Sequence, residues 1–86
     1  GKAKAMIVTS SREGAVKYYR AVKQYIQNYH YDNIEPLVAF SGEVTIGDEE
    51  YTEVKINGFS EKELPEQFNK DEYQILIVAI IHSSLI

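Results

Sequence analysis

The sequence predicts an α/β fold: a small, mostly parallel sheet of three strands with helices flanking it. Three observations carry that prediction. Apolar runs at 5–8, 37–40 and 75–81 show no polar alternation, which is how strands covered on both faces read. Between the first two runs lies a stretch whose apolar residues recur at helical spacing. The chain has 86 residues and no cysteine. That length suits one domain, and with no disulfide or thiolate–metal staple, packing or a partner must supply the stability.

The first strand takes in Ala5, Met6, Ile7 and Val8 and ends at Thr9. Its apolar continuity predicts cover on both faces. Ser10 or Ser11 supplies a helix N-cap, and Glu13 falls in the first turn, where an acid meets the positive end of the helix dipole. The helix is predicted over 12–29. Ala15, Tyr19, Val22, Ile26 and Tyr29 repeat at steps of four and three, which makes them the buried stripe. Tyr18 and Tyr25 widen it; Lys17, Arg20, Lys23, Gln24 and Gln27 fall mostly on the wet side. The stretch 28–33 (NYHYDN) is rich in turn formers and ends the helix. His30 there sits where a cation suits the helix C-terminus.

The second strand is predicted at 37–40, with Pro36 at its start, where a missing N–H removes no central ladder bond. Ser41 and Gly42 close it. Strand, helix and strand make a right-handed βαβ unit. Residues 43–58 change character, with five acids and little apolar bulk. They read as a polar insertion between core elements: an ordered hairpin turning at Gly47 and Asp48, or a mobile acidic loop. Asp48, Glu49, Glu50 and Glu53 match no cation-binding loop spacing and read as solvated. Ser60 and Glu63 fit a capping box. It opens a short helix to Asn69 that buries Leu64 and Phe68, with Phe59 and Leu64 as its staple. Pro65 falls late for a first-turn proline and makes that helix irregular. The third strand, 73–81, is too apolar for an edge and is predicted central. Residues 82–85 (HSSL) fit no element.

Charge is unevenly spread. The first 30 residues hold six Lys/Arg and one acid, the rest three Lys/Arg and twelve acids, for a net −4. A basic first segment could attract an anionic partner, but on charge alone it reads as a solvated helix face with an acidic loop elsewhere. No apolar run approaches the roughly 18 residues of a membrane helix, so no membrane partner is expected. Several chemistries lack their residues. There is no GxxxxGK[ST] phosphate loop, no GxGxxG and no HExxH. His30 and His82 have no acid or serine at catalytic spacing, so no catalytic or metal-ligating residue is assigned.

Thr9, Ser10, Ser11 and Arg12 stand where a parallel strand gives way to a helix. That is the carboxyl edge of the sheet, where α/β proteins place ligands. Free N–H groups, hydroxyls and a guanidinium there suit a phosphate. Ser41 and Gly42 end the neighbouring strand at the same edge. The same residues also serve as a plain helix cap beside a surface arginine.

The segments KAMIVTSSREGAVKYYRAV, PLVAFSGEV, NGFSEKELPEQF and DEYQILIVA, in this order and spacing, resemble the restriction (R) subunit of type I restriction–modification enzymes. The resemblance runs over 4–79 and falls at the start of the second of two RecA-like domains in a superfamily 2 helicase-type motor. It implies an incomplete RecA-like domain. By position, 7–12 matches the region of helicase motif IV, so Thr9, Ser10, Ser11 and Arg12 are implied to contact the DNA backbone, with Ser41 and Gly42 lining the same track. A translocase moves over any sequence, so phosphate contacts without base readout suit it. The strand at 75–79 matches the one leading into motif V.

The family then continues with Asn-Lys and Thr-Gly-Phe-Asp, whereas this chain has the atypical tail 80–86, IIHSSLI. On this reading 1–86 is a single partial domain and a fragment of a longer protein. The tail comes from a frameshift, an early stop or cloning, and Gly1 is a cloning remnant. The parent implied is a bacterial or archaeal cytoplasmic, ATP- and Mg-dependent DNA translocase and type I site-specific deoxyribonuclease. Its partners are double-stranded DNA, the specificity and methylation subunits and its remaining motor domains. The fragment itself is expected to hold no cofactor, to be inactive alone and to self-associate through unpaired strand edges. The alternative is a free-standing small α/β interaction module, which would have a self-covered sheet.

Overall fold

A computed structural model describes residues 4–31, 34–70 and 72–80. The chain runs β1 (Ala5–Thr9), α1 (Arg12–Asn28), β2 (Glu35–Ala39), β3 (Glu43–Ile46), β4 (Glu49–Thr52), α2 (Glu53–Asn57), a 3-10 turn (Glu61–Glu63), α3 (Leu64–Phe68) and β5 (Tyr73–Ala79). The main sheet has the order β1-β5-β2, and both pairings are parallel. β5 is therefore the central strand, as its β-branched composition predicts. The register places Met6 and Leu37 beside Leu76, and Val8 and Ala39 beside Val78. Between Glu35 and Pro36 the β2 register shifts. The irregularity falls at the residue without an N–H, where a ladder bond is already missing.

One face of the sheet carries the core. Val38, Phe40 and Ile77 pack with Ala15 and Val16 of α1, and Ile7, Tyr19, Val22, Ile75 and Ala79 close around them. Pleating sends Met6 and Val8 to the opposite face. There the expectation of cover on both sides fails, because β1 is an edge strand: Met6 is 63% and Val8 58% exposed, although Leu37 and Leu76 of that face are buried.

The buried stripe of α1 also ends sooner than its sequence suggests. Tyr25 and Tyr29 are exposed. A 17-residue helix is about 25 Å long, while a five-residue strand spans about 17 Å, so the last turns of α1 outrun the sheet. The stranded rings stack on each other instead, Tyr25 and Tyr29 at 4.5 Å and Tyr31 within 6.3 Å of both. His30 follows the helix with φ 55°, and its N–H donates to the Gln27 carbonyl.

The stretch 43–58 is ordered, and it is more than an insertion. β3 and β4 form an antiparallel hairpin turning at Gly47, φ +63°. α2 then returns the chain to β2, and Val44, Ile46, Tyr51 and Ile56 join the core cluster. The segment from 60 to 69 is irregular, as its proline implies: a 3-10 turn, then a single α-turn with Pro65 in its first positions. The predicted capping box of Ser60 and Glu63 is present, with the Glu63 carboxylate accepting from the Ser60 N–H. Leu64 and Phe68 are half-buried rather than buried, and the Phe59 ring meets Tyr73 edge-on. Ile81 and the residues after it, including His82, lie outside the described residues.

Candidate nucleic-acid interface

Three parallel strands deliver their carboxyl ends to one edge, and the six residues singled out in the sequence lie along it. At the end of β1 the Thr9 hydroxyl donates to the carbonyls of Val78, at 3.0 Å, and Ser11, at 3.2 Å. The Thr9 carbonyl accepts from the Ile80 N–H. Thr9 is thus a structural pin between β1, β5 and the turn, and its proton is spent inside the chain.

Ser11 is the N-cap of α1. Its backbone is extended and its Oγ accepts the Gly14 N–H at 2.9 Å. A Cβ at Gly14 would approach that Oγ to 3.0 Å, so the small residue keeps the cap in place. The cap satisfies one first-turn donor; the N–H groups of Arg12 and Glu13 have no intrahelical acceptor. Ser10 is exposed.

Arg12 crosses from α1 to the end of β2, where its Nε donates to the Ser41 carbonyl. The guanidinium lies against Gly42. That residue has φ +71°, and a Cβ there would meet Nη2 at 3.4 Å. The left-handed backbone favours glycine at 42, and the guanidinium would meet a Cβ there only at ordinary contact distance. Arg12, Ser41 and Gly42 are therefore in direct contact, and Thr9 and Ser11 in a second, adjoining cluster. Glu13, the acid nearest the turn in sequence, is held by Lys17 at 3.1 Å.

This arrangement offers hydrogen-bond donors: the Ser10 and Ser41 hydroxyls, two first-turn N–H groups, and the Arg12 nitrogens beyond Nε. Donors of that kind hold an oxyanion such as a phosphodiester. No His, Cys, Asp or Glu among the six stands ready to move a proton or attack a bond. Among the described residues there is no group of three or more metal-ligating side chains, and no helix is long and apolar enough to cross a membrane.

Three residues near the site were not read from the sequence. Val8 and Ile80 join Thr9 and Ser10 in lining an open cleft of about 240 Å³ beside the turn. Glu53 of α2 reaches the other end of the site, its Oε1 accepting the Phe40 N–H at 3.0 Å, one residue before Ser41. It is 7% exposed, and burial raises its pKa, a rise the Phe40 N–H opposes and the charge of Glu61 adds to. The signal for the helix that carries Glu53 was present, though not for the inward aim of its side chain. Thr52 is a good N-cap and Gly58 a good C′ residue, and together they bracket a short helix. Compared with known proteins, the chain matches no family model, no curated protein and no solved structure.

Proposed function

We propose that this chain is a DNA-backbone-gripping segment of a type I restriction motor, the opening part of its second RecA-like domain. The observation that supports this reading is the meeting of Arg12 with Ser41 and Gly42 at the carboxyl edge of three parallel strands, beside the capped N-terminus of α1. In this reading the phosphodiester oxygens of double-stranded DNA lie against Ser10, Ser41 and Arg12, and no base is read. ATP and Mg are handled by other domains of the parent. So is phosphodiester cleavage, and the specificity and methylation subunits choose the DNA. The chain alone neither hydrolyses ATP nor cuts DNA.

The interaction-module reading asks for a sheet that covers itself. The exposed β1 edge, with Met6 and Val8 uncovered, favours the motor reading, in which further chain pairs there.

Fluorescence anisotropy with short labelled duplexes at low salt tests the proposal. The expected result is weak binding, equal for unrelated sequences, that falls steeply with salt. Arg12→Ala should lower affinity for every sequence and reduce the salt slope by about one. Absence of binding at low salt, or binding unaffected by Arg12→Ala, overturns the assignment. So does ATP hydrolysis by the purified chain.

A further inference from the structure

Away from that edge, α1 and α2 enclose a second cleft of about 240 Å³. Val16 and Ile56 give it an apolar floor, and Tyr19 and Tyr51 wall it. Two cations flank it. The Arg20 guanidinium stands 4.7 Å from the Tyr51 ring centre, and the Lys55 ammonium 5.6 Å from the same centre. Lys55 is engaged: it donates to the Glu50 carbonyl at 2.8 Å and pairs with Glu49 at 3.4 Å. Arg20 has no carboxylate partner among the described residues. Arg20 belongs to the basic first thirty residues, which hold six Lys/Arg and one acid, and at the lip of an apolar cleft its charge is left without a carboxylate.

We infer that this cleft is a docking site for a partner-protein segment that inserts one large apolar side chain and sets a carboxylate against Arg20. Charge complementarity selects an acidic segment over a basic one. Size selects a side chain over a free metabolite: the volume lies below the about 300–1,000 Å³ of small-molecule pockets, yet it suits a single anchor of the kind that dominates interfaces. The tyrosine walls supply rigid, half-apolar contact surface at small entropic cost. The site is independent of the DNA reading, because it lies against the hairpin and α2, and none of its lining residues belongs to the carboxyl edge.

The test uses the whole 86-residue chain, isotopically labelled, and two synthetic peptides. One carries a single Phe flanked by Asp and Glu; the other has Lys at every acidic position. The acidic peptide should move the resonances of Val16, Tyr19 and Ile56 in a saturable way, and the lysine peptide should not. Arg20→Glu, an exposed change that leaves the core intact, should weaken binding by about tenfold, the effect of turning one attraction into a repulsion. Lys62→Glu, in the 3-10 turn, should leave it within about twofold. The inference is overturned if both peptides bind alike, if neither shifts these residues, or if Arg20→Glu binds as well as the native chain. It is also overturned if raising the protein concentration alone moves the same resonances, since a second copy would then be the occupant.

Discussion

Glu53 is buried, and only one of its carboxylate oxygens is bonded: Oε1 holds the Phe40 N–H, while Oε2 has no partner. Burial without a full set of hydrogen bonds penalises the charged form, so its pKa is raised, with Phe40 opposing the rise and Glu61 adding to it. The sign for stability follows directly. A group whose folded pKa lies above its unfolded value binds its proton more tightly in the native state. Its contribution is fullest below the ordinary glutamate range and is lost as pH rises through the raised value. Glu53→Gln keeps an acceptor for Phe40 and removes the charge. The variant should therefore be more stable than the native chain at neutral pH, by about 1 kcal/mol, and the two should converge toward about pH 4. Urea unfolding across that range measures it. A variant less stable at neutral pH would mean that the ionised bond to Phe40, or the amide N–H₂ left unpaired where Oε2 has no partner, outweighs the gain from removing the charge.

At the scale of the element, α2 does the work of a missing strand. β2 is an edge, and its Val38 is fully buried. Yet the Val38 N–H donates to Asn57 Oδ1 at 3.0 Å and its carbonyl accepts from Asn57 Nδ2 at 2.8 Å. Glu53, one turn earlier on α2, takes the next outward N–H, that of Phe40. Two side chains at i and i+4 thus close an edge that otherwise invites pairing. Asn57→Asp preserves the acceptor but cannot donate to the Val38 carbonyl. It should destabilise by about 2 kcal/mol, the cost of one unpaired buried backbone group, and Asn57→Ala by more, because both the N–H and the carbonyl of Val38 lose their partner; each is visible as a lower urea midpoint with an unchanged slope. If aspartate is tolerated, the carbonyl is finding another partner. This clamp also marks the limit of what could be read in advance. The three strands, α1 and its cap were legible because apolar runs and a 3.6-residue stripe are local patterns. The six residues of the carboxyl edge were legible too, since topology alone brings strand ends together. The fate of 43–58 was not. Acidity counts for solvent in a sequence, and nothing local says that Glu53 will point inward to a backbone N–H on another strand. Nor does the stripe of α1 say where the sheet beneath it stops, so Tyr25 and Tyr29 were assigned to a core that ends before they begin.

Taken whole, the sheet has two unlike borders. The β2 border is sealed by Asn57 and Glu53. The β1 border has no such cover among the described residues. Its strand, Ala5–Thr9, carries no charge. The Lys4 ammonium, at its start, is turned back to the carbonyls of Lys70 and Tyr73 and so does not guard the edge as a lysine on an edge strand usually does. Met6 and Val8 are uncovered on one face, and Ile80 is 45% exposed. An uncharged, apolar, open edge is a template for another strand. The simplest occupant in a pure solution is β1 of a second copy, because an antiparallel pairing about a two-fold axis meets no like charge within the strand. Sedimentation should therefore show monomer giving way to dimer as concentration rises, with association persisting at high salt because it is apolar. Val8→Lys places a charge on a side chain that is already 58% exposed, so it should cost the fold little and return the chain to monomer. A native chain that stays monomeric at every concentration would show that the β1 border is not used between copies. It would also weaken the case that this sheet continues into further strands, which is the ground for preferring a motor segment over a self-sufficient module.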